Sequence, residues 1–512
     1  MMKKWLPGLI GLSIFALLGR LLGFLREILM ASKFGANEIT DAYLTALLLF
    51  DIAMAANSSI LSGTLSYSTQ EKNLNQFSKS LFSVGLKVFV IILSIALIYY
   101  PFAVKLIPLI FSKSPESTRI VIETSRLFFI LTAFLVACGI FSALLQIKGN
   151  ITNPGRLIIF LNVFSIAFLI LYANNIGIIS LPAGLLLGGI LFFIYQIILI
   201  KNIKNNSYEN SFESKFNLKA WGAVVLFVFI NSLMPSISGL MERYFSFFFV
   251  KGTFSHYQYA VKIISLPLTI FSFAISTSLL PIQTKSINEG NTQEFNNTTN
   301  NGIVFSVVTS SFFVLIFSFL AQPVIQIIYQ RGHFTLHDSI ETAHALRIMS
   351  IGLIPFLLNP ILANIFYTLR YVKNIIYINL FFILIQIVVL LILSRISSGI
   401  ETLTITWVII VWCNNISLIY YITRFKKINL DKTIVIKVFL ILLITFIVMN
   451  AGIYTICKSV FETNIFFNKW QNLLKIAQAG SIIFLVYASA VIIVFRNRLA
   501  NFLNYLKRKK NK

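Results

Sequence analysis

The residues best suited to chemistry in this chain lie in one apolar segment near its start, where residues 19–27 read GRLLGFLRE. An arginine at the centre of a membrane helix costs about 2.5–3.5 kcal/mol on insertion scales, so it usually faces a polar cavity or a charged partner. Arg20 and Glu27 are seven residues apart and share a helix face with Gly23, whereas Arg26 is rotated by about 120° from Arg20. Gly19 and Gly23 are four residues apart, which predicts that another helix can come close to this one. The two arginines could bind a phosphate-bearing ligand, and the alternative is that they close structural ion pairs.

A second set of charges lies in apolar segments of the second half, where Glu242 and Arg243 are adjacent and Lys262 occurs in the next segment. Adjacent residues on a helix point about 100° apart, so Glu242 and Arg243 need not pair with each other. If the two halves pack face to face, Lys262 joins Arg20 and Arg26 around a cationic cavity suited to a phosphate-bearing ligand.

The acidic residues of these segments could instead neutralise the cations in place. We expect a mixed arrangement, in which the three cations bind the headgroup of the ligand and neighbouring charges serve as latches. The residues predicted to form gate or ion-pair contacts are Glu27, Asp41, Glu242 and Arg243.

The composition identifies the elements that must position these charges. Of 512 residues, 57% are hydrophobic and only 12% are charged, whereas soluble proteins carry about 25% charged residues. Apolar runs of about 20 residues recur along the chain, so we predict an all-α polytopic membrane protein. The net charge of +25 comes from basic residues in short loops, which suits anionic membrane lipids and topology rather than nucleic acid.

The hydropathy pattern predicts about fourteen transmembrane helices. Their bounds are roughly 6–31, 39–67, 80–111, 119–147, 156–173, 177–200, 220–249, 254–283, 301–328, 338–368, 374–394, 400–423, 433–457 and 473–495. About two dozen basic residues fall in the loops on the side of the termini and roughly eight on the other side, which predicts that both termini are cytoplasmic. The first segment is too long and too charged for a cleaved signal peptide, so we expect it to be retained.

The chain divides near its middle, at the polar loop 202–218. A weak internal repeat relates spans one to three to spans seven to nine, and repeated bundles are the common plan of secondary transporters. We therefore predict two pseudo-symmetric six-helix bundles, at 1–205 and 206–428. The remainder, 429–512, adds two C-terminal transmembrane helices and a basic cytoplasmic tail.

Other chemistries lack support in the sequence. The four histidines have no metal-binding spacing and are interpreted as solvated loop residues, and the three cysteines as packing residues. No glycine-rich phosphate loop or serine elbow is present. We therefore expect neither an enzyme nor a metal site, and no cofactor. Coupling to the membrane potential or to a sodium or proton gradient is left open.

The opening motif resembles that of the MurJ (MviN) family of lipid II flippases, which typically reads S-R-x-L-G-F-x-R-[DE], then F-G-A, then T-D-A-F. Further resemblances follow in the second half. The matching stretches here are residues 19–27, 34–36, 40–43, 278–281, 329–335, 345–353 and 363–367. The resemblance runs from about residue 10 to residue 425 and is strongest at the opening motif.

This resemblance implies a member of the multidrug/oligosaccharidyl-lipid/polysaccharide exporter superfamily. Such a protein flips an undecaprenyl-pyrophosphate-linked saccharide outward across the bacterial cytoplasmic membrane by alternating access. The resemblance also implies cell-wall synthesis proteins as partners. Arg20 and Arg26 match family arginines needed for function, and Asp41 matches a carboxylate near the outer gate. Lys262 stands where the family usually has arginine, so the charge is retained but the bidentate fork is lost.

One departure from the family pattern lies just after the T-D-A-F motif. The family usually continues with P-N-x-x-R-R, whereas residues 48–57 here read LLFDIAMAAN, with a new acid at Asp51. This difference leaves the headgroup open between lipid II and another lipid-linked glycan. Rival interpretations are a cation-coupled drug exporter, which would favour an acidic or aromatic pocket, and a membrane glycan polymerase, which usually carries a longer outer loop.

Overall fold

The computed structural model describes residues 2–68, 74–110, 114–204, 217–268, 271, 273–369, 371–397, 399–426, 478 and 480–492. Over these residues the chain is almost entirely α-helical and contains no β-strand. This architecture confirms the predicted all-α class. It also satisfies the physical requirement that every backbone amide and carbonyl in a membrane be hydrogen-bonded internally.

Eight α-helices of the described chain precede residue 250. Their bounds are α1 Met2–Phe34, α2 Glu38–Ser68, α3 Leu74–Ile110, α4 Pro115–Ile147, α5 Asn153–Ile176, α6 Ser180–Lys204, α7 Leu218–Ser232 and α8 Met234–Ser246. Local sequence explains several of the boundaries. Ser114 and Ser117 form a reciprocal capping box at the start of α4, and the Asn37 side chain caps α2 through the amides of Ile39 and Thr40.

The helices after residue 250 include several short ones and one that is kinked. Their bounds are α9 Thr253–Pro267, α10 Phe273–Asn288, α11 Thr292–Tyr329, α12 Leu336–Ser350, α13 Leu353–Thr368, α14 Val372–Leu393 and α15 Ile400–Lys426, followed by the short apolar helix α16, Gly480–Ile492. Helix α11 is kinked at Leu320, three residues before Pro323, as expected from the clash of a proline ring with the preceding turn. The pairs α7–α8 and α12–α13 bend by 42° and 51°.

The first twelve predicted spans each coincide with one helix or one broken helix pair. By length and composition, seven stretches of the described chain can cross a membrane, or nine if each bent pair counts as one. One of them, Asn153–Asn202, contains 50 residues, about twice the length of one membrane-spanning helix. It comprises the two helices α5 and α6, which coincide with two predicted spans. Predicted span 433–457 lies outside the described residues, and span 473–495 is described only in part.

The chain packs as two compact units. The first contains Met1–Ser255 with Arg331–Thr335, and the second contains His256–Gln330 with Leu336–Lys512. Helix α7 therefore packs with the first unit, where Trp221 Nε1 donates to Thr64 Oγ1 on α2 over 3.0 Å. The predicted division into bundles at 205/206 and 428/429 stays a prediction.

Polar side chains hold the first unit together inside its apolar core. Gln196 on α6 donates to Ser142 Oγ on α4 over 2.8 Å and to Asn153 Oδ1 on α5 over 2.7 Å. All three residues are buried. Because lipid tails are as apolar as the helix faces, such hydrogen bonds and close packing, rather than hydrophobicity, select the partners of a membrane helix.

The second unit buries aliphatic and aromatic side chains around α11. Ile303, Val307 and Leu315 of this helix pack with Ile483 and Tyr487 of α16, and the Tyr487 hydroxyl donates to the Val308 carbonyl over 2.6 Å. A second cluster joins α13, α14 and α15. These contacts place α16 against α11 within this unit.

Candidate functional site

Helix α1 packs closely on α5 through two of its glycines. Gly19 and Gly23 face α5, where an added Cβ at Gly19 would lie 2.8 Å from Ile158 Cγ2. The Asn162 side chain of α5 donates to the Gly19 carbonyl over 3.0 Å. The prediction that glycines four residues apart admit a close neighbouring helix is therefore confirmed, and this contact fixes the rotation of the arginine-bearing helix.

The two arginines of α1 have different surroundings. Arg26 and its neighbour Glu27 are both buried, at 8% and 4% exposure, and form an ion pair with an Nη2–Oε1 distance of 2.9 Å. Arg20, nearly two turns earlier, is exposed at the surface of the chain. Arg26 therefore forms the structural ion pair that was one of the two alternatives, and the role of Arg20 in ligand binding stays a prediction.

Asp41 binds the turn that leads into α9. Its carboxylate accepts hydrogen bonds from the amides of Gly252 and Ser255 over 2.7 and 2.8 Å, and from the Ser255 hydroxyl over 2.5 Å. A carboxylate at the N-terminus of a helix is favoured by the helix dipole and by the free amides of the first turn. Asp41 on α2 therefore acts as a capping group for a helix more than 200 residues away in sequence.

The same turn and one further loop meet the region between the end of α1 and the start of α2. Lys251 pairs with Glu38 across 2.5 Å, and the His333 amide donates to the Ser32 carbonyl over 2.9 Å. Gly332, with φ of 58°, has no room for a side chain because a Cβ would lie 2.1 Å from the Ser32 carbonyl oxygen. The segment 331–335 is thereby held against α1 in the first unit.

Arg243 pairs with Asp51, the acid that departs from the family pattern. Its Nη2 lies 2.9 Å from Asp51 Oδ2, and its Nε donates to the Leu44 carbonyl over 3.1 Å. The Arg243 side chain is 7% exposed and the Asp51 side chain 45%. Glu242, the adjacent residue, is also buried. The sequence identified Arg243 as an ion-pair residue but missed its partner, although an unexpected acid in α2 was the available signal.

Lys262 is half-buried on α9 and belongs to the second unit, whereas Arg20 and Arg26 belong to the first. The structure thus brings together Arg26 with Glu27 and Arg243 with Asp51. The predicted common cavity of Arg20, Arg26 and Lys262 stays a prediction, as do the gating roles of Glu27, Asp41, Glu242 and Arg243.

The interpretation of the histidines as solvated loop residues is wrong for His256. This residue is buried, and its Nε2 lies 2.9 Å from Asp338 Oδ1 on α12. Neither residue has a spacing in the sequence that would have shown the contact. Among the described cysteines, Cys138 is buried as expected, whereas Cys413 is exposed on α15. Within the described residues, no group of three or more His, Cys, Asp or Glu side chains could hold a metal ion.

Comparison with known proteins places this geometry in context. The family model described as lipid II flippase MurJ matches residues 30–474. A probable lipid II flippase MurJ of Buchnera aphidicola subsp. Baizongia pistaciae is 28% identical over 397 residues, covering 73% of this chain and 75% of the relative. A probable lipid II flippase MurJ of Rickettsia prowazekii is 26% identical over 449 residues, covering 83% and 85%.

Solved structures share the fold. A lipid II flippase MurJ in an inward closed conformation superposes with a TM-score of 0.78 at 21% identity, covering 96% of this chain and all of that one. An inward-facing multidrug resistance MATE transporter of the MOP superfamily has a TM-score of 0.68 at 13% identity, covering 82% and 98%. The structural likeness shows the fold, and the match of the family model to 30–474 shows the membership: the chain belongs to the lipid II flippase MurJ family.

Proposed function

We propose that this multi-pass membrane protein is a transporter that flips lipid II, the undecaprenyl-pyrophosphate-linked precursor of peptidoglycan, from the inner to the outer leaflet. The observation that carries the proposal is the family match over residues 30–474, which covers nearly all of the helical core from the end of α1 onward. Translocation proceeds by alternating access, in which two bundles rock about a central site.

The headgroup site uses the cations of both halves. Arg20 offers an exposed guanidinium whose planar fork matches a diphosphate. Arg26 is held in place by Glu27, and it reaches the headgroup when the bundles rock. Lys262 supplies a point charge where the fork of an arginine is absent.

The gate uses the contacts at the end of α1 and the start of α2. Support comes from the three hydrogen bonds of Asp41 to residues 252 and 255 and from the ion pair between Arg243 and Asp51. Glu242 and Glu27, which precede Arg243 and follow Arg26 in the sequence, are also buried. Opening toward the outer leaflet breaks the contacts of Asp41. Their polar partners are then exposed to water, which compensates the lost hydrogen bonds.

The setting is the bacterial cytoplasmic membrane, with both termini in the cytoplasm. The excess of basic residues in the loops on that side supports this orientation. The membrane potential or a sodium or proton gradient drives the cycle, no cofactor takes part, and the partners are the lipid-linked substrate, membrane lipids and cell-wall synthesis proteins.

A second substrate, another lipid-linked glycan, is favoured by one observation. The family's basic stretch after the T-D-A-F motif is replaced here, and the acid at position 51 pairs with Arg243. Less positive charge near the headgroup suits a substrate with less negative charge.

A complementation experiment tests the function. The chain is expressed in a bacterium whose own lipid II flippase can be depleted, and growth and lipid II accumulation in the inner leaflet are measured. Restored growth with low accumulation supports the proposal. Expression in the membrane without restored growth, together with flipping of a different lipid-linked glycan in proteoliposomes, would favour the second substrate. Drug export or glycan polymerisation by the purified protein would contradict both.

A further inference from the structure

The described part of the second unit has an aromatic groove between α14 and α15 that the transport function does not use. The groove is a shallow, open depression of about 490 Å³. Four of its side chains expose more than half of their surface. The lining residues are Tyr377, Ile378, Phe381, Phe382, Ile416, Ser417, Tyr420 and Tyr421.

The groove is rigid because its floor is part of the core. Tyr421 stacks on Phe366 of α13 with ring centroids 5.5 Å apart, and Ile375 and Ile422 pack in the buried cluster beneath it. Asn414 donates to Asn379 Oδ1 over 3.1 Å, which ties α15 to α14. A preformed groove costs little ordering entropy when a flexible chain binds it.

The two helices present matching faces at the same end of the groove. On α14, Lys373 precedes Tyr377 by four residues, and on α15, Arg424 follows Tyr420 by four residues. Residues four apart lie on one helix face about one turn from each other. Both cations are exposed. Because of the four-residue spacing, they lie one turn beyond the tyrosines, at the end of the groove where α14 begins and α15 ends.

This order of side chains matches the chemistry of one lipid molecule. Exposed tyrosines mark the level of the headgroups in a bilayer, and basic residues just beyond that level attract anionic headgroups. The apolar residues Phe381 and Ile416 lie one turn deeper than the tyrosines and suit an acyl chain.

We propose that this groove binds an anionic phospholipid of the phosphatidylglycerol type. Its phosphate lies between Lys373 and Arg424, and one acyl chain packs along the aromatic floor. The site is separate from the predicted headgroup site on α1 and α9, so it makes the protein responsive to the lipid composition of its own membrane.

Native mass spectrometry of the purified full chain tests the proposal. Phosphatidylglycerol and phosphatidylcholine with identical acyl chains are titrated against the unmodified chain and against the double variant Lys373→Ala with Arg424→Ala. The matched control is Lys201→Ala with Lys219→Ala, which removes two exposed cations from the first unit. A third variant, Ser417→Trp, fills the groove but retains both cations.

We expect the unmodified chain and the control to retain phosphatidylglycerol more tightly than phosphatidylcholine. The double variant should bind phosphatidylglycerol roughly tenfold more weakly or worse, because each interfacial Lys or Arg contributes a several-fold factor. Ser417→Trp should lose the tightly bound lipid. Equal binding of the two lipids by the unmodified chain would overturn the proposal, and so would an equal loss of phosphatidylglycerol binding in the control variant. A chain that is dimeric when unmodified and monomeric as Ser417→Trp would also overturn it.

Discussion

The Asp51 carboxylate on α2 and the Arg243 guanidinium on α8 lie 2.9 Å apart although 192 residues separate them in sequence. Arg243 is buried and also donates to the Leu44 carbonyl, so its charge depends on partners within the first unit. The pair joins α8 to α2 at the position where the family pattern has a basic stretch. Asp51 therefore adds a negative charge at this position and also links two helices of the first unit.

Removal of the Asp51 carboxylate should destabilise the protein. Asp51→Ala leaves a buried guanidinium without its carboxylate, and we expect a loss of about 1–2 kcal/mol, since Asp51 is half-exposed and the full cost of breaking a buried pair is about 3–5 kcal/mol. The measurement is the melting temperature in detergent, with Asp51→Glu as a control that keeps the charge. An unchanged melting temperature for Asp51→Ala would show that the pair contributes nothing.

Two variants distinguish the contribution of the Arg26–Glu27 ion pair to stability from its contribution to transport. Arg26→Ala should lower stability by about 3 kcal/mol or more, because the buried Glu27 carboxylate loses its ion pair with Arg26. The double variant Arg26→Met with Glu27→Gln removes both charges and should recover most of that loss. If Arg26 also binds the headgroup, this double variant stays inactive in a proteoliposome flipping assay. Recovered transport would limit Arg26 to a structural role.

The hydrogen bonds of Asp41 should protect the turn before α9. In a background with Cys138, Cys413 and Cys457 replaced by alanine, a cysteine introduced by Thr253→Cys is buried and should react slowly with a membrane-impermeant maleimide. Adding Asp41→Ala leaves the Gly252 and Ser255 amides unsatisfied, at a cost of about 1–3 kcal/mol, and should speed labelling several-fold.

The matched control for Asp41 is Lys251→Ala, which removes the ion pair between the exposed Lys251 and the half-buried Glu38 beside the same turn. Such pairs contribute only about 0–1 kcal/mol, so labelling should hardly change. Equal labelling in the Asp41→Ala and Lys251→Ala proteins would mean that Asp41 does not hold this turn closed.

Lys262 offers a test of headgroup binding. Lys262→Ala should reduce the rate of lipid II flipping strongly, whereas Lys262→Arg should maintain or raise it, because arginine can bind a diphosphate through two parallel hydrogen bonds. Lys285→Ala is the control, since Lys285 is exposed and pairs with Glu289 at the end of α10. Unchanged flipping by Lys262→Ala, with the protein folded, would exclude Lys262 from the site.

A comparison of alanine substitutions at two glycines with similar backbone angles measures the contact between segment 331–335 and α1. Gly332 and Gly290 have φ of 58° and 70°, so alanine at either position costs about 1–2 kcal/mol in backbone strain. Only at Gly332 would the new methyl group meet a backbone carbonyl, whereas Gly290 has open space. We expect Gly332→Ala to lower the melting temperature more than Gly290→Ala. Equal losses would show that the contact with Ser32 adds nothing.

The sequence by itself determined the helical class, the positions of the helices that coincide with the first twelve predicted spans, and the arginine-bearing motif of α1. Long apolar runs permit only helices in a membrane, because their backbone groups must bond internally. Intramembrane charges such as Arg20, Arg26 and Arg243 stand out for the same reason, since their cost requires a function or a partner. The spacing of Gly19 and Gly23 likewise predicted a close helix neighbour.

Only the tertiary structure decided which groups are partners. Asp51 with Arg243, Asp41 with the amides of Gly252 and Ser255, and His256 with Asp338 are each brought together by helix packing over long sequence separations. Periodicity gives the face on which a residue lies, but not which helix it meets. That choice depends on close packing and hydrogen bonds between helices, which are properties of the whole bundle and are not encoded in any single segment.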